Sequence, residues 1–215
     1  MRRFTSVLAI ALIHAFATMS SAGLIVENSP ATGTSFRIGG ANSQSEAVVW
    51  DQSQASTNTS ITALIGSVDG SSETVDVYLI ENTPENVIAS KTVSVGNFAD
   101  PSNFTPVTLF SGLSLDPARY GIVIFNSDTS GTVNVRWSVG GNTTNGIGTF
   151  KYSAYSDSPQ TDVTNPNLST ATTSSSALGF SVNGDVAAVP EPSTLALSLC
   201  SLVLLGVGRR FQRKA

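Results

Sequence analysis

The residues that could carry imidazole or thiol chemistry stand at the two ends of this chain. His14 is the single histidine and Cys200 is the single cysteine. Neither residue type occurs between Gly23 and Val189, which excludes a Ser-His-Asp triad, a disulfide and a Cys/His metal site from that stretch. We therefore predict no catalytic residue, no metal site and no cofactor there.

Acidic side chains are the remaining candidates for chemistry in the middle of the chain. Between Gly23 and Val189 there are 14 acidic and five basic residues, which gives a formal charge of −9. Such a surface repels phosphate backbones, so we predict no nucleic-acid partner. Two carboxylates facing each other across a cleft would suit an unusual glycoside hydrolase, which stays open as a second alternative. Most of the acids fall at expected strand ends and turns, where acids are normally solvated, and we predict that the protein is not an enzyme. These acids are Glu46, Asp51, Asp69, Glu73, Asp76, Glu81 and Glu85.

Aromatic side chains could bind carbohydrate, because their flat faces stack on sugar rings. Trp137 alternates with valines, which predicts a place in the core. Trp50 follows two valines, so its face is ambiguous, and Tyr155 is out of phase with Phe150 and Tyr152. Tyr155 and Trp50 are therefore the predicted glycan contacts, if the domain is a carbohydrate-binding module.

The N-terminus has the pattern of a secretory signal peptide. Arg2 and Arg3 precede a short apolar run over residues 4–16, and the small residues Ser20-Ser21-Ala22 follow it. A basic start, a short apolar segment and a small-residue exit are the three parts of such a signal. We predict that residues 1–22 form a signal helix and that signal peptidase cuts after Ala22.

The C-terminus also has three parts in a defined order. Pro190-Glu191-Pro192 comes first, and its two prolines favour an extended, helix-free stretch. The apolar stretch 194–208 follows and predicts a transmembrane helix, although about 22 Å of helix is short for a bilayer core of about 30 Å. Arg209 and Arg210 begin the basic tail. Basic flanks at both ends of the chain stay cytoplasmic, so the middle is predicted to lie outside the membrane.

This tripartite tail resembles the PEP-CTERM sorting signal of Gram-negative bacteria. The resemblance rests on Val-Pro-Glu-Pro-Ser at 189–193, the apolar helix at 194–208, and Arg209-Arg210. It implies recognition by an exosortase, an integral-membrane cysteine transpeptidase that cleaves near the motif. The nucleophile belongs to the exosortase, so Cys200 is interpreted as a small apolar residue of the helix. A plain anchor that is never cut is the alternative for this tail.

The middle of the chain has the pattern of an all-β domain. No good helical run occurs, and apolar and polar residues alternate with period two in several short segments bounded by turn residues. We predict a single β-sandwich or jelly roll over residues 23–184, followed by a linker over 185–189 and the sorting signal over 190–215. The expected strands include the segments 60–65, 73–81, 86–95, 104–110, 118–126, 131–139, 146–154 and 177–182, with weaker candidates at 23–27, 34–38 and 47–50.

One part of this domain also has a loose resemblance to a family. Residues 60–126 are similar to exported bacterial sandwich domains of the choice-of-anchor type, through SITALIGSVDGSSETVDVYLIE and VTLFSGLSLDPARYGIVIF. Members often have glycine two residues before the tyrosine that precedes the central strand, where this chain has Ala118. The resemblance implies a sandwich fold and assigns no catalytic residue.

Together these patterns predict an exported, non-enzymatic protein of the cell surface or extracellular matrix. The resemblance to PEP-CTERM proteins implies that it accompanies exopolysaccharide or biofilm and that an exosortase processes it. Its precursor would be anchored in the inner membrane by the C-terminal helix, and its partners would be signal peptidase, exosortase and exopolysaccharide. A carbohydrate-binding module is the first alternative. The mature product would lie at the cell surface or outside the cell.

Overall fold

A computed structural model of the chain describes residues 21–39, 44–68, 72–82, 85–98, 100, 104–126, 135–156, 172–174 and 176–186. Residues 22–186 form one compact unit. The predicted signal helix and the whole predicted sorting signal lie outside the described residues, apart from Ser21 and Ala22. No helix long and apolar enough to cross a bilayer occurs in the described part of the chain.

Every regular element in the described residues is a β-strand, as the alternating sequence pattern predicts. The strands are β1 (Ser21–Ile38), β2 (Ser45–Gln52), β3 (Ser56–Ala63), β4 (Ile65–Ser67), β5 (Glu73–Asn82), β6 (Glu85–Val95), β7 (Val107–Leu115), β8 (Ala118–Phe125), β9 (Val135–Asn145), β10 (Gly148–Ser156), β11 (Thr172–Ser174) and β12 (Phe180–Val186).

The strands form two six-stranded sheets. The first sheet has the order β4-β9-β1-β12-β3-β7, and the second has the order β11-β10-β2-β8-β5-β6. The paired strands within each sheet run antiparallel. The inner faces of the two sheets share one large apolar core, so the prediction of an all-β sandwich is confirmed.

The predicted central strand is confirmed. β8 lies between β2 and β5, and its residues from Tyr120 to Phe125 are all buried. The alternation predicted for β5 is also confirmed, because Val75, Val77 and Leu79 all lie in the main core. A strand that is apolar on both faces needs cover on both sides, and β8 has it.

The outer face of the second sheet carries a small apolar cluster of its own. Ala47, Ile80, Val123 and Ala154 are each no more than 2% exposed, and Tyr78, Val87 and Tyr152 pack against them. Phe125 also stacks on Tyr78, with ring centroids 5.3 Å apart. The sheet is therefore apolar on both faces. Because its strands bury residues on both sides, apolar and polar residues do not simply alternate along them.

Several predicted boundaries differ from the structure. The two weak candidates at 23–27 and 34–38 are parts of the single strand β1, which has a register shift between Ala31 and Ser35. The strand predicted over 131–139 is β9, which continues through Gly140-Gly141-Asn142 to Asn145. A Cβ at Gly140 would come within 2.7 Å of the Asn28 backbone, so this glycine permits close approach of β1 rather than a turn. Finally, β12 continues through Asp185 and Val186, which the sequence assigned to the linker.

The two ends of the sandwich differ in how the strands are connected. One end, the chain-end pole, contains the start of β1, the end of β12 and the short connections 53–55, 116–117 and 146–147. The opposite end, the loop pole, is where β1, β4, β6 and β8 end and where β2, β5, β7 and β9 begin. Asp116-Pro117 forms the turn between β7 and β8.

Candidate functional site

The chain-end pole brings the first and last strands of the domain together. β1 and β12 are neighbours in the first sheet. The Gly146 amide donates to the Ile25 carbonyl at 2.9 Å, and the Ser53 amide donates to the Ile147 carbonyl at 3.0 Å. On the other side of residues 53–55, Ser56 pairs with Val186 of β12. This chain of contacts places the start of β1 and the end of β12 at the same end of the sandwich.

The predicted signal-peptidase site lies at the beginning of β1. Ala22 is the second residue of the strand, and Ile25, three residues later, is fully buried in the main core. A Cβ at Gly146 would collide with the Leu24 carbonyl, so only glycine allows the 146–147 turn to lie this close to β1. The strand is therefore held firmly within a few residues of Ala22.

The end of β12 is held in a comparable way. Asp185 pairs with Thr57 and Val186 with Ser56 on β3. The Asn58 side-chain amide also donates to the Asp185 carboxylate at 2.7 Å. A Cβ at Gly184 would lie 2.7 Å from the Thr59 hydroxyl oxygen, so a glycine is needed where β12 approaches β3 most closely. The strand is ordered and paired up to its last residue.

A tyrosine fixes the β7–β8 corner at the same pole. The Tyr120 hydroxyl donates to the Asp116 carbonyl at 2.8 Å, and the residue is only 3% exposed. This is the tyrosine-corner arrangement found in Greek-key sandwiches. Burial, with the charge of Glu81 as a smaller cause, raises the pKa of the Tyr120 phenol above its usual range. The sequence marks the corner through Asp116-Pro117 followed by a tyrosine, although the hydrogen bond itself was not predicted.

Three charged side chains meet on the outer face of the second sheet near this pole. Asp51 accepts from the Arg119 guanidinium at 2.6 and 3.2 Å, and the Lys151 ammonium lies 2.8 Å from it. The pKa of Asp51 is lowered mainly by the hydrogen bond from Arg119, and the hydrogen bond from Lys151 lowers it further. Burial acts in the opposite direction, but less strongly than Arg119 does. Asp51 is thus held as a carboxylate, which is the opposite of what a glycosidase general acid requires.

A buried polar network lies between this corner and β3. The Gln52 side-chain amide donates to the Gln54 carbonyl at 2.9 Å and to the Ser56 hydroxyl at 3.0 Å. The hydroxyls of Ser56 and Thr59 are 2.8 Å apart. These buried contacts hold the connection 53–55 between β2 and β3, next to the paired end of β12.

Trp50 is not available to a glycan, and its selection from the sequence is corrected here. The side chain is fully buried in the main core, with its ring centroid 5.7 Å from that of Tyr120 and 5.9 Å from that of Phe180. Trp137 is fully buried as predicted, and its indole N–H donates to the Gly179 carbonyl at 2.8 Å. The Trp50 indole nitrogen, by contrast, has no hydrogen-bond partner among the residues that the structure describes.

Tyr155 lies on the core-facing side of β10, whereas simple alternation counted from Phe150 places it on the opposite side. The β10–β2 pairing shifts by one residue between Phe150 and Tyr152, so these two side chains pack in different clusters. Tyr155 is paired with Glu46, on the side of β10 that faces the core. It is half-buried, and it lies near the loop pole. Simple alternation failed here because a β-bulge resets the phase of a strand.

Glu46 is the exception among the acids that the sequence placed on solvated strand ends. It is only 1% exposed, because it lies on the core side of β2 in line with Val48 and Trp50. The Gln44 side-chain amide donates to its carboxylate at 3.3 Å.

Among the residues that the structure describes, no three His, Cys, Asp or Glu side chains are grouped as a metal site. The motif Pro190-Glu191-Pro192 and the basic pair Arg209-Arg210 lie outside the described residues.

Comparisons with known proteins give only remote likenesses. No family model and no curated protein matches the chain. One solved structure that the chain matches is the CBM35 module from Cellvibrio japonicus Abf62, at 13% identity and a TM-score of 0.32, covering 60% of this chain and 96% of the module. Another is a Xyl-CBM35 in complex with a glucuronic acid containing disaccharide, at 18% identity and a TM-score of 0.33, covering 60% and 95%. With TM-scores of this size, neither module bears on the ligand or activity of this chain.

Proposed function

We propose that this chain is an exported surface or extracellular-matrix protein whose sandwich folds outside the inner membrane. An exosortase then processes it at Pro190-Glu191-Pro192. The sandwich would serve a structural or binding role in an exopolysaccharide-rich surface layer, without catalysis. The tail motif and the signal peptide are the sequence features that support this reading.

The observation that carries the proposal is that the start of β1 and the end of β12, the first and last strands of the sandwich, lie at one pole. A precursor with a signal helix and a C-terminal apolar helix would be tethered to the same membrane at both ends. A sandwich whose first and last strands left from opposite ends would need a long connection on one side to satisfy both tethers. Here β1 and β12 are neighbours, so the chain-end pole can face the membrane with short connections on both sides.

Removal of the motif tests this proposal. In the native host, the variant Pro190→Ala/Glu191→Ala/Pro192→Ala should accumulate as a membrane-held precursor, and surface or secreted product should be lost. The matched control is Pro159→Ala/Pro166→Ala, which removes two prolines far from the tail and should leave processing unchanged. Release of the motif variant at the normal rate would contradict exosortase processing.

Carbohydrate binding is the second candidate, and the observation that favours it is the position of Tyr155. This residue is only partly buried, and it lies near the loop pole, opposite the start of β1 and the end of β12. Connections at one end of a rigid sandwich are a common location for binding residues. On a glycan array, the released product should bind a polysaccharide; Tyr155→Ala should abolish the signal, whereas Tyr155→Phe should keep it because the ring face remains. Equal binding by the two variants would contradict a stacking role.

A further inference from the structure

Only a short stretch of chain separates the last paired residue of the sandwich from the sorting motif. β12 is paired to β3 as far as Val186, and Pro190 is the first residue of the motif. Only residues 187–189 lie between them. Four Cα-to-Cα steps span at most about 14 Å even when the chain is fully extended.

We propose that the chain-end pole lies against the membrane surface in the precursor, and that residues 187–189 provide the whole reach available to the processing enzyme. The inference depends on the proposed function and adds a rule to it: the rate of processing is set by spacer length and by fraying at the end of β12. It concerns the distance between the folded domain and the enzyme, which the motif itself does not specify.

The contacts at the end of β12 explain why the strand does not extend the spacer freely. The last two residues of β12 are held against the sheet by the pairing of Asp185 and Val186 with β3 and by the hydrogen bond between Asn58 and Asp185. Gly184 allows the close approach to Thr59 that this pairing requires. Additional reach therefore needs these contacts to open, and local opening of a strand end is a low-energy but not a free event.

Changes in spacer length test the proposal in the full-length protein in its host. Deletion of residues 187–189 should slow conversion of the precursor about ten- to hundredfold, because roughly two residue pairs of β12 must open before the motif reaches the enzyme. Replacing the deleted residues by Gly-Ser-Gly should restore the normal rate, since only length is required. Deletion of residues 160–162, which lie in the sequence between β10 and β11, is the matched control and should have no effect.

A second variant tests the role of fraying. Asp185→Ala removes the carboxylate that Asn58 holds, so in the 187–189 deletion it should recover part of the lost rate, and in the otherwise unchanged protein it should alter little. Protease resistance of the 22–186 unit in each purified precursor verifies that the sandwich is folded.

The outcomes separate this inference from the proposed function. Normal processing of the 187–189 deletion would overturn the reach rule, and so would a slow deletion that Gly-Ser-Gly does not restore, because the enzyme would then recognise sequence rather than distance. Normal processing of the alanine motif variant would instead overturn the proposed function, and the reach rule with it.

Discussion

The two buried tryptophans should respond differently to the same substitution. Trp50 and Trp137 are both fully buried in one core, so replacement by phenylalanine removes a similar volume from each site. The hydrogen bonding differs, because the Trp137 indole N–H donates to Gly179 whereas that of Trp50 has no partner. The loss of packing is therefore common to both variants, and the difference between them reports the polar group.

The magnitude follows from the energetics of buried hydrogen bonds. Trp137→Phe loses a hydrogen bond with a net contribution of about 0.5–1.5 kcal/mol. Trp50→Phe removes an unpaired buried donor whose burial costs about 1–3 kcal/mol in the native protein, so part of its packing loss is offset. We expect Trp137→Phe to reduce the free energy of unfolding by about 1.5–4.5 kcal/mol more than Trp50→Phe does.

Equilibrium urea unfolding of the purified proteins, followed by far-UV circular dichroism, measures this difference. Tryptophan fluorescence is unsuitable because each variant removes one of the two reporters. Equal losses of stability, or a larger loss for Trp50→Phe, would refute the assignment of a partnered indole at Trp137 and an unpartnered one at Trp50.

Three further predictions concern the chain-end pole. Tyr120→Phe should reduce the free energy of unfolding by about 1 kcal/mol, because it removes the hydrogen bond to Asp116. Since the folded pKa of Tyr120 is raised, the protein with Tyr120 should also lose stability as pH rises above about 10. Urea unfolding measured against pH should show this loss in the native protein but not in the variant. Asp51→Asn should cost no more than about 1 kcal/mol at pH 7, because both of its ion pairs are exposed. Since the folded pKa of Asp51 is lowered, this residue stabilises the protein above about pH 3.9, and the stabilisation is lost as pH falls further. The free energy of unfolding should therefore depend less on acidic pH in the variant. An identical pH dependence in the two proteins would contradict the ion pairs. Gly146→Ala should cost about 1–3 kcal/mol, because the new methyl group collides with the backbone of β1, and limited proteolysis should then cut near Leu24; normal protease resistance would contradict the close approach.

The sequence predicted the fold class and the central strands because their residues follow simple rules. β8 is apolar on both faces and β5 alternates cleanly, so both could be identified without the structure. β1 was divided into two weak candidates because its middle is polar and includes Pro30 and Gly33, which normally indicate a break. Its pairing with β9 and its position beside β12 are long-range properties that no local pattern specifies.

The candidate glycan contacts show where alternation fails. Val49 and Trp50 lie on opposite faces of β2, yet both are buried because the sheet is apolar on its outer face as well. Tyr155 was assigned by counting from Phe150, and the bulge between Phe150 and Tyr152 invalidates the count. A bulge depends on backbone pairing with a distant strand, so its position could not be obtained from β10 itself.

The position of the start of β1 and the end of β12 at one pole could not be predicted from the sequence. The predictions of export and processing rest on local patterns in residues 1–22 and 190–215. The adjacency of β1 and β12, by contrast, depends on how all strands of the first sheet are ordered.

Intact-mass measurement of the mature protein from the native host tests the central proposal most directly. Delivery through the membrane with processing at both ends predicts a surface or secreted product that begins at Gly23 and ends near Pro190-Glu191-Pro192, without the apolar segment 194–208. A cytosolic product with the mass of residues 1–215 would contradict it.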